Sequence, residues 1–225
     1  MNETAAIAVG TGVLVLTVVG SFLIGSIPWG YLIGRFIYHT DLRKHGSGNI
    51  GAMNALRALG KKGAVAVLLL DAAKGMVPVL LVTVAMPRII VHFGSTYFVA
   101  HASPALACIA AALAVLGHCF SPWLGWKGGK GVATAFGAIF ALCWPAGLVV
   151  VAVWILGALV LTRFSSVGSM LGAIAAPFAL FFFTRSVPET MFGVFAALLI
   201  LWTHRENIVR LRRGTEGPIR LFDRS

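Results

Sequence analysis

From Val132 to Thr162 the chain runs for 31 residues without an Asp, Glu, Lys or Arg. A bilayer core of roughly 30 Å takes about 20 apolar residues as one helix, and runs of this kind are its signature. The rest of the sequence repeats the pattern, with charge-free blocks separated by short basic segments. Hydrophobic residues make up 59% of the chain and charged ones 11%, with a mean hydropathy of +0.92. Soluble domains carry about 25% charged residues, so too few remain here to coat a water-exposed surface. Inside a bilayer each segment must pair its own backbone polar groups. The sequence is therefore read as an all-α integral membrane protein.

Seven spans are predicted, at about 5–27, 63–86, 103–119, 132–143, 145–162, 167–184 and 188–203. The long run is the hard case. As one helix it would measure about 46 Å at 1.5 Å per residue, too long for one straight span and short for two. Pro145 sits near its middle. Charge decides between the readings. With two spans there and the N-terminus outside, 15 of the 18 Lys and Arg fall on one side, and only Arg88 and Arg185 on the other. With one span the split is 9 to 8. The positive-inside bias selects seven spans, N-terminus outside and C-terminus cytoplasmic. Pro28 is expected to bend the end of the first block, with Trp29, Tyr31 and Tyr38 as interfacial anchors. The stretch 87–102 stays open between a membrane segment and one lying along the outer surface. The first block is not read as a cleavable signal, because Glu3 is the only early charge and the block is too long.

Residues 1–225 then form a single polytopic domain, with cytoplasmic loops at about 39–62 and 120–131 and a tail from about 204. The net charge of +11 follows from the loops and not from nucleic-acid binding. Anionic headgroups and phosphorylated substrates are the expected partners. Cys108, Cys119 and Cys143 have no metal-ligand spacing and are read as core fillers.

Three polar strings fall on the cytoplasmic side. Gly46-Ser47-Gly48-Asn49-Ile50-Gly51-Ala52-Met53-Asn54-Ala55-Leu56-Arg57 pairs glycines, which let backbone N–H groups approach an anion, with Ser, two Asn and an Arg able to hold a phosphate by two parallel bonds. A turn with a helix cap would explain the glycines but not the whole string. Lys127-Gly128-Gly129-Lys130-Gly131 opens into a helix through Thr134, and a helix N-terminus favours anions. Its spacing departs from the nucleotide-binding P-loop. Lysines meeting lipid phosphates are the plainer explanation. His204-Arg205-Glu206-Asn207 places His204 and Asn207 three apart, on one helix face, where a basic juxtamembrane tail would explain only the arginines. Asp71 and Lys74, at i and i+3 inside the second span, are expected to pair, and His118 is expected to pack or cap. There is no H-x4-D, no G-x-S-x-G and no H-E-x-x-H.

Together these strings resemble the bacterial acyl-phosphate:glycerol-3-phosphate acyltransferases, whose GSGNxGATN-x-x-R, GFKGGKGVAT and H-x-x-N patterns stand here at 46–57, 125–134 and 204–207. Gly25-Ser26-Ile27-Pro28 and Asp71-Ala72-Ala73-Lys74-Gly75 are similar to the family too. Met53 stands where the family has Thr, and Trp126 where it has Phe. The resemblance implies a seven-span enzyme of the bacterial inner membrane. It would move a fatty acyl group from acyl phosphate to the 1-hydroxyl of glycerol 3-phosphate, without acyl-CoA, acyl-carrier protein, metal or cofactor. It implies Ser47, Arg57, Lys130, His204 and Asn207 as catalytic positions. Asn49, Asn54, Lys127, Gly128, Gly129, Gly131 and Thr134 are the expected substrate contacts. Docking of a soluble acyl-phosphate-producing enzyme stays open. A transporter of a phosphorylated solute would instead place its polar groups near the midplane, and a lipid-binding scaffold would not need His204 and Asn207.

Overall fold

Apolar blocks that must pair their backbone internally become helices, and the breaks between them fall at Pro, Gly and charge. The computed structural model describes residues 3–86, 88 and 96–219. Helix α1, Glu3–Ser26, stops ahead of Pro28 and is prolonged by a short turn at Trp29–Leu32 and a widened turn at Ile33–Ile37. Helix α2, Ala52–Leu80, is interrupted at Gly60, whose φ of 78° is left-handed. Its first part, 52–59, is thereby a separate segment carrying Asn54 and Arg57. Helix α3 runs Thr96–Cys119, α4 Val132–Leu142, α5 Trp144–Ile155, α6 Ser165–Thr184 and α7 Val187–Thr203. Helix α8, Arg205–Arg212, turns away from α7 by 54°.

The charge-free run is two helices. Cys143 is extended, at φ −154° and ψ 95°, and Pro145 takes the first turn of α5, where its missing N–H costs nothing. Among the described residues, five helical stretches are long and apolar enough to cross a membrane, or six if α7 and α8 count as one. Helix α4, with 11 residues, is shorter. Of 87–102, residues 87 and 89–95 lie outside the described residues, and 96–102 belong to α3.

Helix α3 is the inner post, with Ala107, Ala110, Ala111, Ala114 and Val115 wholly buried against α1, α2 and α7. Large apolar side chains such as Leu16, Val160, Phe178 and Leu198 face outward. In lipid there is little hydrophobic drive between helices, so small residues that let backbones touch do the joining. A Cβ at Gly75 would run into the Thr134 carbonyl, and one at Gly137 into that of Ala72. Helices α2 and α4 therefore cross at van der Waals contact. That crossing carries the start of α4 beside the segment 46–57. Cys108 and Cys119 are buried fillers as expected, and Cys143 marks the break between α4 and α5.

Candidate active site

A cavity of about 840 Å³ runs from the three polar strings down between the helices. Its upper wall holds Ser47, Asn49, Arg57, Lys130, His204 and Asn207. Its lower wall is apolar, with Leu69, Phe136, Val150, Trp154, Ala176 and Ile200 among its members. The segments 39–62, 120–131 and 204–217 thus converge, although up to 160 residues separate them in sequence.

Each rim residue is set by local chemistry. Gly46 and Gly48 take positive φ, 53° and 69°, and turn the chain around Ser47. Asn54 clamps that turn. Its Oδ1 accepts the Ser47 N–H at 3.1 Å, and its Nδ2 donates to the carbonyls of Leu42 at 2.9 Å and Asn49 at 2.7 Å. Asn49 Oδ1 accepts the Gly51 N–H at 2.8 Å, just ahead of α2. Arg57 stays exposed, with Nη2 donating to the Gly217 carbonyl at 3.2 Å.

On the opposite wall a hydrogen-bond chain links Lys130 to the tail. Lys130 Nζ donates to Asn207 Oδ1. Asn207 Nδ2 donates to Glu216 Oε1 at 2.6 Å, which also accepts Ser166 Oγ at 2.8 Å, while Arg210 Nε donates to Glu216 Oε2 at 2.7 Å. Burial, then the Arg210 charge, pushes the Lys130 ammonium down to about 8. Burial, then Lys130, holds His204 down at about 4, so its imidazole is neutral. His204 Nδ1 lies 2.8 Å from the Ile200 carbonyl. A neutral ring donates there, leaving Nε2 with its lone pair. Burial works to raise the Glu216 carboxyl, but its bonds from Arg210, Asn207 and Ser166 outweigh burial and lower it.

The sequence model described as glycerol-3-phosphate acyltransferase matches residues 15–214. The chain belongs to that family. Glycerol-3-phosphate acyltransferases of Synechococcus sp. (strain JA-2-3B'a(2-13)) and Zymomonas mobilis are 42% and 41% identical to it, covering 91% and 92% of this chain and 94% and 95% of theirs. A crystal structure of PlsY (YgiH), an integral membrane glycerol 3-phosphate acyltransferase in its glycerol 3-phosphate form, is 35% identical with a TM-score of 0.79. It covers 91% of this chain and 94% of its own.

For a glycerol-3-phosphate acyltransferase, the cavity gathers most of the residues expected from the sequence. Ser47, Asn49, Asn54, Arg57, Lys130, Gly131, His204 and Asn207 all border it. Four do not. Lys127 is exposed outside it. The N–H groups of Gly128 and Gly129 point back to the carbonyls of Cys119 at 3.0 Å and His118 at 2.9 Å, so they are not free for a phosphate. Thr134 is buried at the Gly75 crossing. Asn54 reaches the cavity, but both its N–H groups are spent on the loop it clamps. Ser166, Arg210 and Glu216 also border the cavity. Arg210 and Glu216 lie six residues apart in the tail, a weak hint of pairing. Ser166 carried no signal at all.

Proposed function

We propose that the protein transfers a fatty acyl group from acyl phosphate to the 1-hydroxyl of glycerol 3-phosphate, giving lysophosphatidic acid and inorganic phosphate. One observation carries this reading. A single cavity joins a rim of Ser47, Arg57, Lys130, His204 and Asn207 to an apolar limb between helices, as a reaction between a water-soluble phosphate and a fatty donor requires. Solved relatives in glycerol 3-phosphate and lysophosphatidic acid forms agree with it.

Arg57 and His204 hold glycerol 3-phosphate, Arg57 by its phosphate and His204 by accepting a hydroxyl at Nε2, and Lys130 takes the donor's phosphate. Ser47 and Asn207 orient the reacting groups, and the fatty chain lies along the apolar limb. The hydroxyl oxygen attacks the acyl carbonyl carbon, and the bond from that carbon to the phosphate oxygen breaks. Phosphate leaves with the electron pair, and the hydroxyl proton passes to a phosphate oxygen. Because the donor arrives activated, positioning and charge stabilisation supply much of the rate. The chain crosses a bacterial inner membrane seven times, N-terminus outside, with the rim on the cytoplasmic face, where acyl phosphate made by a soluble enzyme is delivered.

The test is purified protein with palmitoyl phosphate and glycerol 3-phosphate, read as phosphate release. Acyl-CoA and acyl-carrier protein are expected to be inert as donors, and robust acyl-CoA turnover would remove the donor assignment. Acid-quenched enzyme mixed with radiolabelled acyl phosphate alone is expected to carry no acyl label. Label on Ser47, chased by glycerol 3-phosphate at the turnover rate, would replace direct transfer with a covalent route.

A further inference from the structure

Three ionisable side chains that the proposed chemistry does not use are buried together between α2 and α3. Asp71, Lys74 and His118 are each at most 3% exposed. Lys74 Nζ lies 2.9 Å from Asp71 Oδ1, and His118 Nδ1 lies 3.6 Å from the same oxygen. Ionisable groups at this depth are costly and persist where something depends on them.

Their contacts lead to one loop. Lys74 Nζ donates at 2.7 Å to the carbonyl of Ile27, just past the end of α1, a carbonyl that also accepts the Trp29 N–H at 3.1 Å. The preceding carbonyl, of Ser26, accepts Ser121 Oγ at 2.7 Å, and Ser26 Oγ accepts Trp123 Nε1 at 2.8 Å. The ion pair and the loop after α3 are thus pinned to the same helix end. From the other side, the carbonyls of His118 and Cys119 hold the N–H groups of Gly129 and Gly128. Gly129 rests on the imidazole itself, and a Cβ there would overlap His118 Nε2. The next residue is Lys130.

We propose that His118, oriented by Asp71 and Lys74, is a positioning residue that sets Lys130 in the cavity rim. The imidazole is the surface on which the Gly128–Gly129 turn lies. The Asp71 carboxylate, paired with Lys74, lies against the ring by charge at 3.6 Å, and both Asp71 and His118 border the cavity. Without the ring the turn sinks, and Lys130 Nζ is drawn away from Asn207. The inference rests on Lys130 serving the reaction as proposed above.

A double-mutant cycle on kcat/KM tests it. His118→Ala is expected to lower kcat/KM by about 10-fold in the native background, yet by less than about twofold when Lys130 is already Ala, because residues acting through one another do not add. A merely structural role would lower both backgrounds alike, and that multiplicative result would overturn the inference, as would wild-type activity in His118→Ala. Gly129→Ala keeps the imidazole and the ion pair but forces the turn off the ring. It is expected to show the same loss and the same dependence on Lys130, and it decides the matter if His118→Ala does not fold. Wild-type activity in Lys130→Ala alone would instead remove the site proposed above, a failure seen without touching His118.

Discussion

In the proposed reaction Lys130 has to be a cation in a place where burial works against charge. Its ammonium is held at about 8, so it is protonated below that pH and neutral above it. Donor binding that needs the charge is therefore expected to be lost as pH rises through about 8, seen as a falling alkaline limb in kcat/KM. Lys130→Arg keeps a charge that does not titrate there, and should carry that limb to higher pH. A charged hydrogen bond to phosphate is worth roughly 1.5–3 kcal/mol, so Arg57→Ala or Lys130→Ala should each lower kcat/KM by about 10- to 150-fold. Near-normal kinetics in folded Arg57→Ala would remove it from the phosphate site. At this scale the sequence was readable where a residue's chemistry and its neighbours point the same way. Ser47, Arg57, His204 and Asn207 sit in short polar strings, and the fold brings those strings to one cavity. Glu216 could be read only weakly, from the Arg210 spacing, because one of its three partners, Ser166, lies 50 residues away. For Gly128 and Gly129 the fold decides. Their spacing suits an anion cradle, but backbone direction belongs to the fold, and here it turns those amides toward α3.

The crossing of α2 and α4 is made by absent side chains. Gly137→Val would push against the Ala72 carbonyl, and overpacking of this kind costs about 1–3 kcal/mol. Thermal unfolding in detergent should show a lowered Tm, together with lost activity, because α4 begins beside Lys130. Gly12 has open space around it, and Gly12→Ala should leave both unchanged. An unchanged Tm in Gly137→Val would mean that the two helices do not meet as described. The apolar helices were legible, since charge-free length and breakers are local signals, but 52–59, read as part of the loop 39–62, is helical. Pro145 and the charge balance announced two helices where hydropathy alone shows one run. The interruption at Gly60 was not legible. A single glycine before two lysines is common at a helix end, and only the left-handed φ of 78° separates 52–59 from the span.

Across the whole molecule, the lopsided distribution of Lys and Arg makes orientation a measurable claim. In a Cys143→Ser background, cysteines placed at His45 and at Arg213, both exposed, should react with an impermeant reagent only from the cytoplasmic side. One placed at Arg185, also exposed, should react only from outside. Labelling of positions 45 and 185 from the same side would sink the seven-span topology. The cavity that joins a polar rim to an apolar limb also determines what concentration means for this protein. In the proposed reaction a fatty donor partitions into the bilayer and meets the rim by moving in two dimensions. Its effective concentration is then a mole fraction of the surrounding lipid and not a molarity of the solution. Diluting a vesicle with inert lipid, at constant bulk amounts of protein and both substrates, should slow the reaction as surely as removing donor, while adding buffer alone should slow it only through glycerol 3-phosphate.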